Sequence, residues 1–461
     1  MNYVQKMKLL LMSLPPCVGK AISLVPYKWR PVFGKIYRQR IDEINAFSKL
    51  PEYQKKSFIY KKVRWIVDYA YNNVPFYEKL YRKTGFKPIY LKDFDDLKHV
   101  PVVTKEMLAA CDIEHRSTKI SGRYIVNTGG SSGSPLSFYI LPSAIGHEWS
   151  HIHRIWGAIG YTQRSLKLGF GGGNMHQKTV SYDALRHQFA VNIYHPNKEI
   201  SQALRRVLRK NKIEFLHGYP SAIYDFASYC ETKDQQLSEM LAKNLKGAFL
   251  SSEYPAPHFR NKIESVFKIP TLSFYGHTER AVLAWEKKQK FLFFPLQTYG
   301  FAEAIKGDSS GVIKLVGTSY YNTASPFIRY DTGDEISVTK STNGILEEFK
   351  IEAGREGDYI LDKNNKRISL TGLVFGRHHR IFEIARFVQI GQKEAGKAVF
   401  FITIPKSILP AEECQKWFDL SDIQIDFEFK QIDAPILSKI GKLILNLQNS
   451  EKFLKESSRE D

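Results

Sequence analysis

Apolar residues recur at helical spacing in the N-terminal part of the chain. Between Gln54 and Ala70 they follow one another three or four positions apart, with lysines between them, which predicts an amphipathic helix. Pro75 is expected to end this helix, because the residue before a proline is driven out of the α region. The pattern as a whole predicts that residues 1–120 are mainly helical.

Short apolar runs alternate with helical segments from Tyr124 to Gly333, and each run is bounded by glycine or proline. Such alternation is typical of an α/β domain with a mixed or parallel sheet. Helices are predicted over 143–160 and 200–210. Strands are predicted to end at 126–127 and to cover 166–170, 213–216, 245–251 and 271–275.

The pattern changes beyond residue 354, which we take as a domain boundary. We predict an α/β fold in which 1–120 and 121–354 build one large domain with mixed β-sheets and helices, and 355–461 forms a small α+β domain. The chain shows no internal repeat. The elements predicted in the small domain are strands near 359–361, 387–390, 397–404 and 423–430, and an acidic helix around 411–419.

The composition fits a folded, basic protein. Of its 461 residues, 43% are apolar and 13% aromatic, which supports a sizeable core and excludes a disordered or collagen-like chain. Lysine and arginine number 67 against 47 acidic residues, a formal net charge of +20. A field of this sign favours polyanionic partners such as nucleotides, coenzyme A or anionic lipid head groups. Nucleic acid is not expected as a partner, because no helix-turn-helix cue, zinc finger or aromatic RNA-binding pattern occurs.

The cysteines and the N-terminus bear on location. Cys17, Cys111, Cys230 and Cys414 lie far apart, which argues against a disulfide framework or a thiolate zinc site and suits a reducing compartment. No apolar run approaches the ~18–20 residues of a membrane span. Residues 1–16 combine lysines with a short leucine-rich stretch, which predicts peripheral contact with an anionic membrane. The protein is expected in the cytoplasm, and the peripheral contact would be with the inner face of the membrane.

The densest signal for chemistry is a loop rich in glycine and hydroxyl residues. Three glycines, three serines and a threonine fall between Thr128 and Pro135, after one predicted strand and before another. Backbone N–H groups and hydroxyls of such a loop can surround phosphate oxygens. No lysine follows the last glycine, so the loop is not a P-loop, and a flexible hairpin connection is the alternative.

Two further segments lie at or near the ends of predicted strands. Residues 273–279, with the sequence SFYGHTE, offer a tyrosine, a glycine, a hydroxyl and a carboxylate, which suit a purine, a phosphate and Mg²⁺. Residues 327–334, with the sequence FIRYDTGD, place an aspartate after a turn, where it could accept both hydroxyls of a ribose. Taken alone, an ordinary strand-to-helix cap and a polar β-turn explain the two segments equally well.

The order of these segments is more specific than any one of them. The loop, the Y-G-x-T-E segment, the D-T-G-D segment, Gly354-Arg355 and a late lysine resemble the motifs of the adenylate-forming acyl-CoA synthetase superfamily. The closer resemblance is to its phenylacetate–coenzyme A ligase-like branch, which includes capsular polysaccharide biosynthesis proteins. The segments that carry the branch resemblance are 70–77 (AYNNVPFY), 97–105 (LKHVPVVTK), 217–221 (HGYPS) and 251–253 (SSE).

The resemblance implies a fold, a reaction and cofactors. The fold would be a large adenylate-forming domain, in which 121–354 binds ATP and the acyl group, followed by a small mobile C-terminal domain. The reaction would join a carboxylic acid to ATP, with Mg²⁺, as an acyl-adenylate, release pyrophosphate, and pass the acyl group to coenzyme A. An amine or hydroxyl acceptor in surface polysaccharide biosynthesis stays open, as does a homologue that binds nucleotide without catalysis.

The resemblance also implies which residues bind ATP. Tyr275, followed by Gly276, would lie against the adenine, and Asp334 would bind the ribose hydroxyls. Arg355 would contact the ribose or phosphate at the domain junction. The residues that would clasp the β- and γ-phosphates are Thr128, Gly129, Gly130, Ser131, Ser132 and Gly133.

Three residues would act on the reacting atoms. Thr278 would lie near the α-phosphate and Glu279 on Mg²⁺. Lys442 would follow the negative charge as pyrophosphate leaves, a task that suits the compact charge of an ammonium group. Lys439 lies close enough in the sequence to be the alternative to Lys442. Ser134-Pro135 stands where many relatives carry a lysine after the loop, which puts phosphate affinity in question.

A competing motif points to different chemistry. His147 to His151 have the form H-E-x-x-H within a predicted helix, where two imidazoles one turn apart and Glu148 could serve zinc-dependent hydrolysis. No third spaced histidine and no secretory context accompany the motif, so a structural or pocket-lining role is favoured for both histidines. The glycine run at 169–173 lacks dinucleotide-loop spacing and is interpreted as a strand end beside an acyl pocket.

Overall fold

The structure is a computed structural model of the whole chain. The residues it describes are 14–30, 33–128, 136–171, 178–307, 311–353, 359–375, 377, 379–405, 407–438 and 441–448. The α-helices in these ranges are α1 Pro16–Leu24, α2 Gly34–Phe47, α3 Glu52–Asn73, α4 Pro75–Lys83, α5 Lys105–Ala109, α6 Ala144–Trp156, α7 Asn197–Leu208, α8 Pro220–Lys233, α9 Gln235–Ala242, α10 Pro257–Phe267 and α11 Leu370–Phe375.

The strands of the large domain fall after these N-terminal helices and between the later ones. They are β1 Tyr124–Asn127, β2 Ser137–Ile140, β3 Lys167–Phe170, β4 Val180–Asp183, β5 Gln188–Val191, β6 Phe215–Gly218, β7 Gly247–Leu250, β8 Thr271–Gly276, β9 Leu283–Glu286, β10 Phe293–Pro295, β11 Gly300–Lys306, β12 Ile313–Ser319, β13 Tyr330–Thr342 and β14 Ile345–Ala353.

The N-terminal helices cover the antiparallel half of the protein. On α3 the buried residues Ile59, Val63, Ile66 and Val67 recur three or four positions apart and pack into one hydrophobic cluster. The helix stops where the residue before Pro75 becomes extended, and the proline then opens α4 at its first turn. Both the helix and its end are confirmed, although α3 extends beyond the predicted limits.

One twelve-stranded mixed sheet organises the large domain, in the order β11-β12-β13-β14-β10-β9-β8-β7-β6-β3-β5-β4. Neighbours from β5 through β3, β6 and β7 to β8 are parallel, while β8 to β11 on the other side pair antiparallel. The mixed α/β architecture is thus confirmed. In open α/β sheets, ligands bind outside the carboxyl ends of parallel strands, which directs attention to the ends of β6, β7 and β8.

The C-terminal part has its own small sheets. Its strands are β15 Tyr359–Leu361, β16 Arg367–Ser369, β17 Phe387–Glu394, β18 Lys397–Thr403 and β19 Asp426–Ile432. The last three form a sheet in which β18 and β19 run parallel, over a separate hydrophobic cluster. The predicted domain boundary near 354 stays a prediction, because residues 354–358 lie outside the described ranges.

Two element predictions need correction. The strand expected at 213–216 lies at Phe215–Gly218. Phe215 and Leu216 are buried, and the next two residues, His217 and Gly218, also pair with β7, so the strand extends past the apolar run. The acidic helix expected around 411–419 is a 3₁₀ segment, Ala411–Trp417, which follows Pro410. Short 3₁₀ turns and α-helices share the same apolar spacing over a few residues, so the pattern does not separate them.

Aromatic rings join the C-terminal part to the large domain. Phe375 stacks on Tyr254 with ring centroids 5.4 Å apart, and Phe382 stacks on His258 at 4.2 Å. Phe387 meets Tyr224 at 5.7 Å in an edge-to-face contact. These contacts pack the C-terminal part against α8, α10 and the segment between β7 and α10.

The membrane contact expected at the N-terminus stays a prediction. Within the described residues no helix is both long and apolar enough to cross a bilayer. Leu24, Val25 and Trp29 are exposed and lie near the exposed Lys20 and Lys28. Residues 1–13, with the lysines and leucines of the prediction, lie outside the described ranges.

Candidate functional site

A cavity of about 520 Å³ opens at the carboxyl ends of β7 and β8. Gly218, at the end of neighbouring β6, has φ of +152°, and a Cβ there would lie 2.0 Å from the carbonyl oxygen of Phe170. Only glycine permits this close approach of β6 to β3. Residues that line the cavity include Glu148, Ser252, Glu253, Tyr275, Gly276, Thr278, Arg280, Tyr299, Asp334, Ser438 and Lys442.

Tyr275 and Asp334 meet on one wall of this cavity. The phenol of Tyr275 donates a hydrogen bond to Oδ2 of Asp334. Asp331, three residues earlier, stabilises the local structure. Its carboxylate accepts hydrogen bonds from the N–H of Gly333 at 2.9 Å and from Nζ of Lys314 at 2.9 Å. The 331–334 segment is therefore part of β13, kinked where Gly333 has φ of +77°, rather than a free β-turn.

Glu279 lies behind this wall, among the described residues that do not line the cavity. It is 3% exposed, and its carboxylate accepts from the phenol of Tyr330 at 3.0 Å and from Nδ1 of His277 at 3.2 Å. Nε2 of His277 accepts from the N–H of Val282 at 3.1 Å, so the proton of the neutral ring is on Nδ1. The site thus holds Glu279 in one orientation.

Lys442 reaches the same cavity from the C-terminal part. Gly441 before it has φ of +76°, and a Cβ there would lie 2.7 Å from Cδ1 of Ile193, so a side chain at this position would be both strained and crowded. The N–H of Lys442 donates to Oγ of Ser438 at 3.0 Å, which closes the turn. Its Nζ lies 5.8 Å from the ring centre of Tyr219, beside the end of β6.

Glu253 joins the two parts of the protein at the cavity. Its Oε2 accepts from the N–H of Ser221 in the first turn of α8 at 3.1 Å, and its Oε1 accepts from the N–H of Leu443 at 2.8 Å. Burial raises the pKa of this carboxyl group, while the hydrogen bonds and the charge of Lys442 oppose the shift. The motif at 251–253 does not predict this bridge; the position of Glu253 three residues after a buried parallel strand was the available signal.

The predicted phosphate loop is described only at its base. Thr128 is buried, its Oγ1 accepts from the N–H of Leu136 at 2.9 Å, and its own N–H donates to the carbonyl of Leu136 at 3.0 Å. These bonds hold the two ends of the loop together. The remaining predicted residues Gly129, Gly130, Ser131, Ser132, Gly133 and Arg355, with the alternative lysine Lys439, lie outside the described ranges.

The two histidines of the H-E-x-x-H motif, which lie on α6, contact protein groups. Nδ1 of His151 lies 2.8 Å from the carbonyl oxygen of His147 and must donate to it, so Nε2 accepts from the hydroxyl of Thr298 at 3.1 Å. His151 therefore has no ring nitrogen left for zinc. His147 stacks on Tyr321 with ring centroids 4.0 Å apart, and burial lowers the pKa of His147 to about 2.

Glu148, between these histidines, faces the cavity. Its Oε2 accepts a hydrogen bond from the phenol of Tyr299 at 2.6 Å and forms an ion pair with Nε of Arg280 at 3.0 Å. Arg280 directly follows Glu279 and has φ of +59°, a left-handed conformation that is uncommon for a residue with a side chain. No spacing along the chain predicts that these three residues meet, since they come from α6, the turn after β8 and the segment before β11.

The described residues contain no group of three or more histidine, cysteine or acidic side chains placed to hold a metal ion. A magnesium ion that binds with ATP takes one or two carboxylates and completes its shell with phosphates and water. Glu279, the carboxylate that the resemblance assigns to this ion, is buried and does not line the cavity, so its role as a magnesium ligand stays a prediction.

Protein CapK of Staphylococcus aureus is 24% identical over 342 residues, which cover 71% of this chain and 73% of CapK. No protein-family model matches the chain.

Two solved structures of 2-hydroxyisobutyryl-CoA ligase are similar to this fold. One, in the postadenylation state with an acyl-AMP, has a TM-score of 0.66 at 16% identity and covers 89% of this chain and 93% of its own. The other, an open conformation with 2-HIB-AMP and CoA, has a TM-score of 0.55 at 16% identity and covers 84% and 90%. The resemblance predicted from the motifs is therefore confirmed at the level of the fold, and this chain has the fold of the adenylate-forming acyl-CoA ligases.

Proposed function

We propose that this protein is an AMP-forming carboxylate ligase that activates a small carboxylic acid with ATP. The observation that carries the proposal is the cavity in which Tyr275, Thr278 and Asp334 of the large domain meet Lys442 of the C-terminal part. These four residues are among those that the motif resemblance assigns to ATP binding and catalysis. The similarity of the fold to acyl-CoA ligases supports the same conclusion.

Each residue of the set has a task that fits its chemistry. Asp334, a carboxylate beside Tyr275, would accept the ribose hydroxyls while the tyrosine ring lies against adenine. The substrate carboxylate would attack the α-phosphorus, forming a P–O bond as the bond to pyrophosphate breaks. Lys442 would stabilise the charge that moves onto the leaving group, and Thr278 would orient the α-phosphate. Glu279, behind the wall of the cavity, is the residue that would hold Mg²⁺, which when bound supplies neutralisation of the phosphate charge.

The acceptor in the second half-reaction is proposed to be coenzyme A. The similarity of the fold to CoA ligases supports this choice, and the chain's net charge of +20 favours a polyanionic co-substrate. The similarity to CapK supports a second candidate, in which an amine or hydroxyl in surface polysaccharide biosynthesis receives the acyl group. The two acceptors require the same first half-reaction.

The test is to incubate the purified protein with ATP, Mg²⁺, coenzyme A and a panel of aryl, short-chain, hydroxy and amino acids, and to identify products by mass spectrometry. Equal amounts of AMP and acyl-CoA would support the proposal. An acyl-hydroxamate formed with added hydroxylamine, without acyl-CoA, would favour the second acceptor. Bound ATP without AMP formation from any acid would contradict ligase activity and leave a nucleotide-binding protein.

A further inference from the structure

An exposed apolar surface lies near the start of the described chain. Leu24 and Val25, at and just after the end of α1, are 56% and 43% exposed, and Trp29 in the 3₁₀ turn Tyr27–Trp29 is 69% exposed. These three are not among the described residues that line the cavity. Single exposed apolar side chains are common, but three within six residues form a patch of the kind that marks an interaction surface.

The opposite side of this segment is fixed to the large domain. Gly19 on α1 lies so close to Tyr182 of β4 that a Cβ at this position would overlap the tyrosine ring. Ser23, one turn further along, is buried as well. Tyr27 is buried, and its N–H donates to Oε1 of Gln163 at 2.8 Å. The exposed side chains therefore project from a fixed part of the protein surface.

Arg30 joins the end of α1 to the 3₁₀ turn. Its Nε donates to the carbonyl oxygen of Val25 at 3.1 Å, and its Nη2 donates to that of Ile22 at 3.3 Å, so it satisfies carbonyl groups that the helix end leaves open. The guanidinium also lies over the ring of Tyr27, 3.9 Å from the ring centre. The helix end and the turn are thus held together as one unit.

Lysines accompany the apolar side chains on this unit. Lys20 and Leu24 are one helical turn apart on α1, so they lie on the same face, and both are exposed. Nζ of the exposed Lys28 lies 5.5 Å from the centre of the Trp29 ring. Each part of the surface therefore places a positive charge beside an apolar group.

The charge around the surface is of one sign. Residues 1–41 contain eight lysines and arginines and no aspartate or glutamate. Asp183, on the strand that α1 packs against, is buried and pairs with Arg186 at 2.7 Å. A second copy of this chain, with its net charge of +20, would be repelled by such a surface. An anionic bilayer is complementary to it, because lipid offers negative head groups beside hydrocarbon.

We propose that Leu24, Val25 and Trp29, together with Lys20 and Lys28, dock the protein onto an anionic lipid bilayer. The apolar side chains enter the boundary between head groups and acyl chains, where the ring of Trp29 lies at the level of the head groups. The two lysines lie against the head-group phosphates. This surface differs from residues 1–16, for which the sequence predicts membrane contact, and its role does not depend on the proposed ligase activity.

The test measures sedimentation of the full-length protein with vesicles of phosphatidylcholine, alone or mixed with phosphatidylglycerol. We expect binding to the mixed vesicles that weakens as salt is added, and little binding to phosphatidylcholine alone. Lys20→Glu/Lys28→Glu should weaken binding by at least about 30-fold, because each lysine near an anionic surface contributes about fivefold. Leu24→Ser/Trp29→Ser should weaken it about tenfold or more, because less apolar surface enters the lipid.

Matched controls lie on α3 and α4, whose buried residues belong to a different hydrophobic cluster from that of Tyr27. Trp65→Ser removes another exposed tryptophan, and Lys79→Glu/Lys83→Glu makes the same change of charge at two exposed lysines. Both variants should bind vesicles as the wild type does. Trp29→Phe should keep most of the binding but lose the part of the tryptophan fluorescence that brominated lipid quenches, which would locate this side chain in the bilayer.

Three results would contradict the inference. Equal binding to the two kinds of vesicle would remove the role of the lysines. Unchanged binding in both double variants would assign the contact to another part of the chain, such as residues 1–16. If the wild type binds no vesicles, and light scattering shows that Leu24→Ser/Trp29→Ser converts a dimer to a monomer, the surface joins copies of this chain instead.

Two measurements separate this inference from the proposed function. The melting temperature of each variant shows whether it folds. ATP–pyrophosphate exchange without vesicles should be the same in the wild type and in the surface variants, because none of the changed residues lines the cavity. Loss of vesicle binding with exchange intact supports the docking surface, while exchange absent from every protein would contradict the ligase proposal alone.

Discussion

The buried ion pair Arg260–Glu286 stabilises the strands next to the candidate site. Its loss should lower the stability of the large domain. Nη1 and Nη2 of Arg260 donate to the two oxygens of Glu286 at 2.6 and 2.8 Å, with side chains 1% and 4% exposed. Glu286 also accepts from the N–H groups of Ser273 at 3.0 Å and Phe291 at 2.6 Å. The pair therefore ties α10 to β8 and β9, and β8 carries Tyr275 at its end.

Glu286→Gln keeps the shape of the side chain but removes its charge. The guanidinium of Arg260, which also donates to Oγ1 of Thr271 at 2.9 Å, would then be a buried charge without a counter-charge. Breaking such a pair from one side costs about 3–5 kcal/mol. Replacing both partners by apolar residues, as in Arg260→Met/Glu286→Leu, should recover much of this loss, because the unpaired charge is gone.

The measurement is urea unfolding followed by circular dichroism and tryptophan fluorescence. Glu78→Gln is the control, because Glu78 pairs with Arg82 on α4 at 2.7 Å while both side chains are exposed, at 45% and 71%. An exposed pair of this kind contributes about 1 kcal/mol or less. If Glu286→Gln costs no more than Glu78→Gln, or if the double variant is less stable than Glu286→Gln, the account of the buried pair is wrong.

Two further predictions concern a buried base and the contact between the two parts of the protein. Lys167 is 1% exposed, and burial lowers its pKa to about 7. The folded state therefore binds this proton more weakly than the unfolded state. The stability of the protein should consequently rise between about pH 7 and 10. Lys167→Met should flatten that rise in melting temperature, and an unchanged slope would refute the assignment. Glu253→Ala removes the acceptors for both the N–H of Ser221 and the N–H of Leu443, so hydrogen exchange at Leu443 should quicken about tenfold. Equal exchange in both proteins would show that Glu253 does not hold the C-terminal segment.

Local signals predicted much of the fold. Pro75 marked the end of α3, and the apolar run at 271–275 matches β8 at Thr271–Gly276, because buried parallel strands are short, apolar and bounded by turns. The β13–β14 hairpin was missed, although Asn343-Gly344, with φ of +47° and +85°, is a strong turn signal. Its strands have mixed polarity, since only some of their residues face the core.

The candidate site was likewise predictable in part. The resemblance implied that Tyr275, Asp334 and Lys442 act on the same ATP; the three line one cavity, while their roles stay predictions. The contacts of Glu253 with Leu443 and of Glu148 with Arg280 were not predictable, because they join residues that come together only through tertiary packing. No spacing along the chain encodes such a contact.

The central claim is that Lys442, brought to the cavity by the turn at Gly441, acts in acyl-adenylate formation. The most direct measurement is ATP–pyrophosphate exchange with the best acid, for the wild type, Lys442→Ala and Lys439→Ala. We expect the rate to fall by about 100- to 1,000-fold in Lys442→Ala, as when one group that stabilises transition-state charge is removed, and to change little in Lys439→Ala. Full exchange in Lys442→Ala, with its loss in Lys439→Ala, would contradict the account.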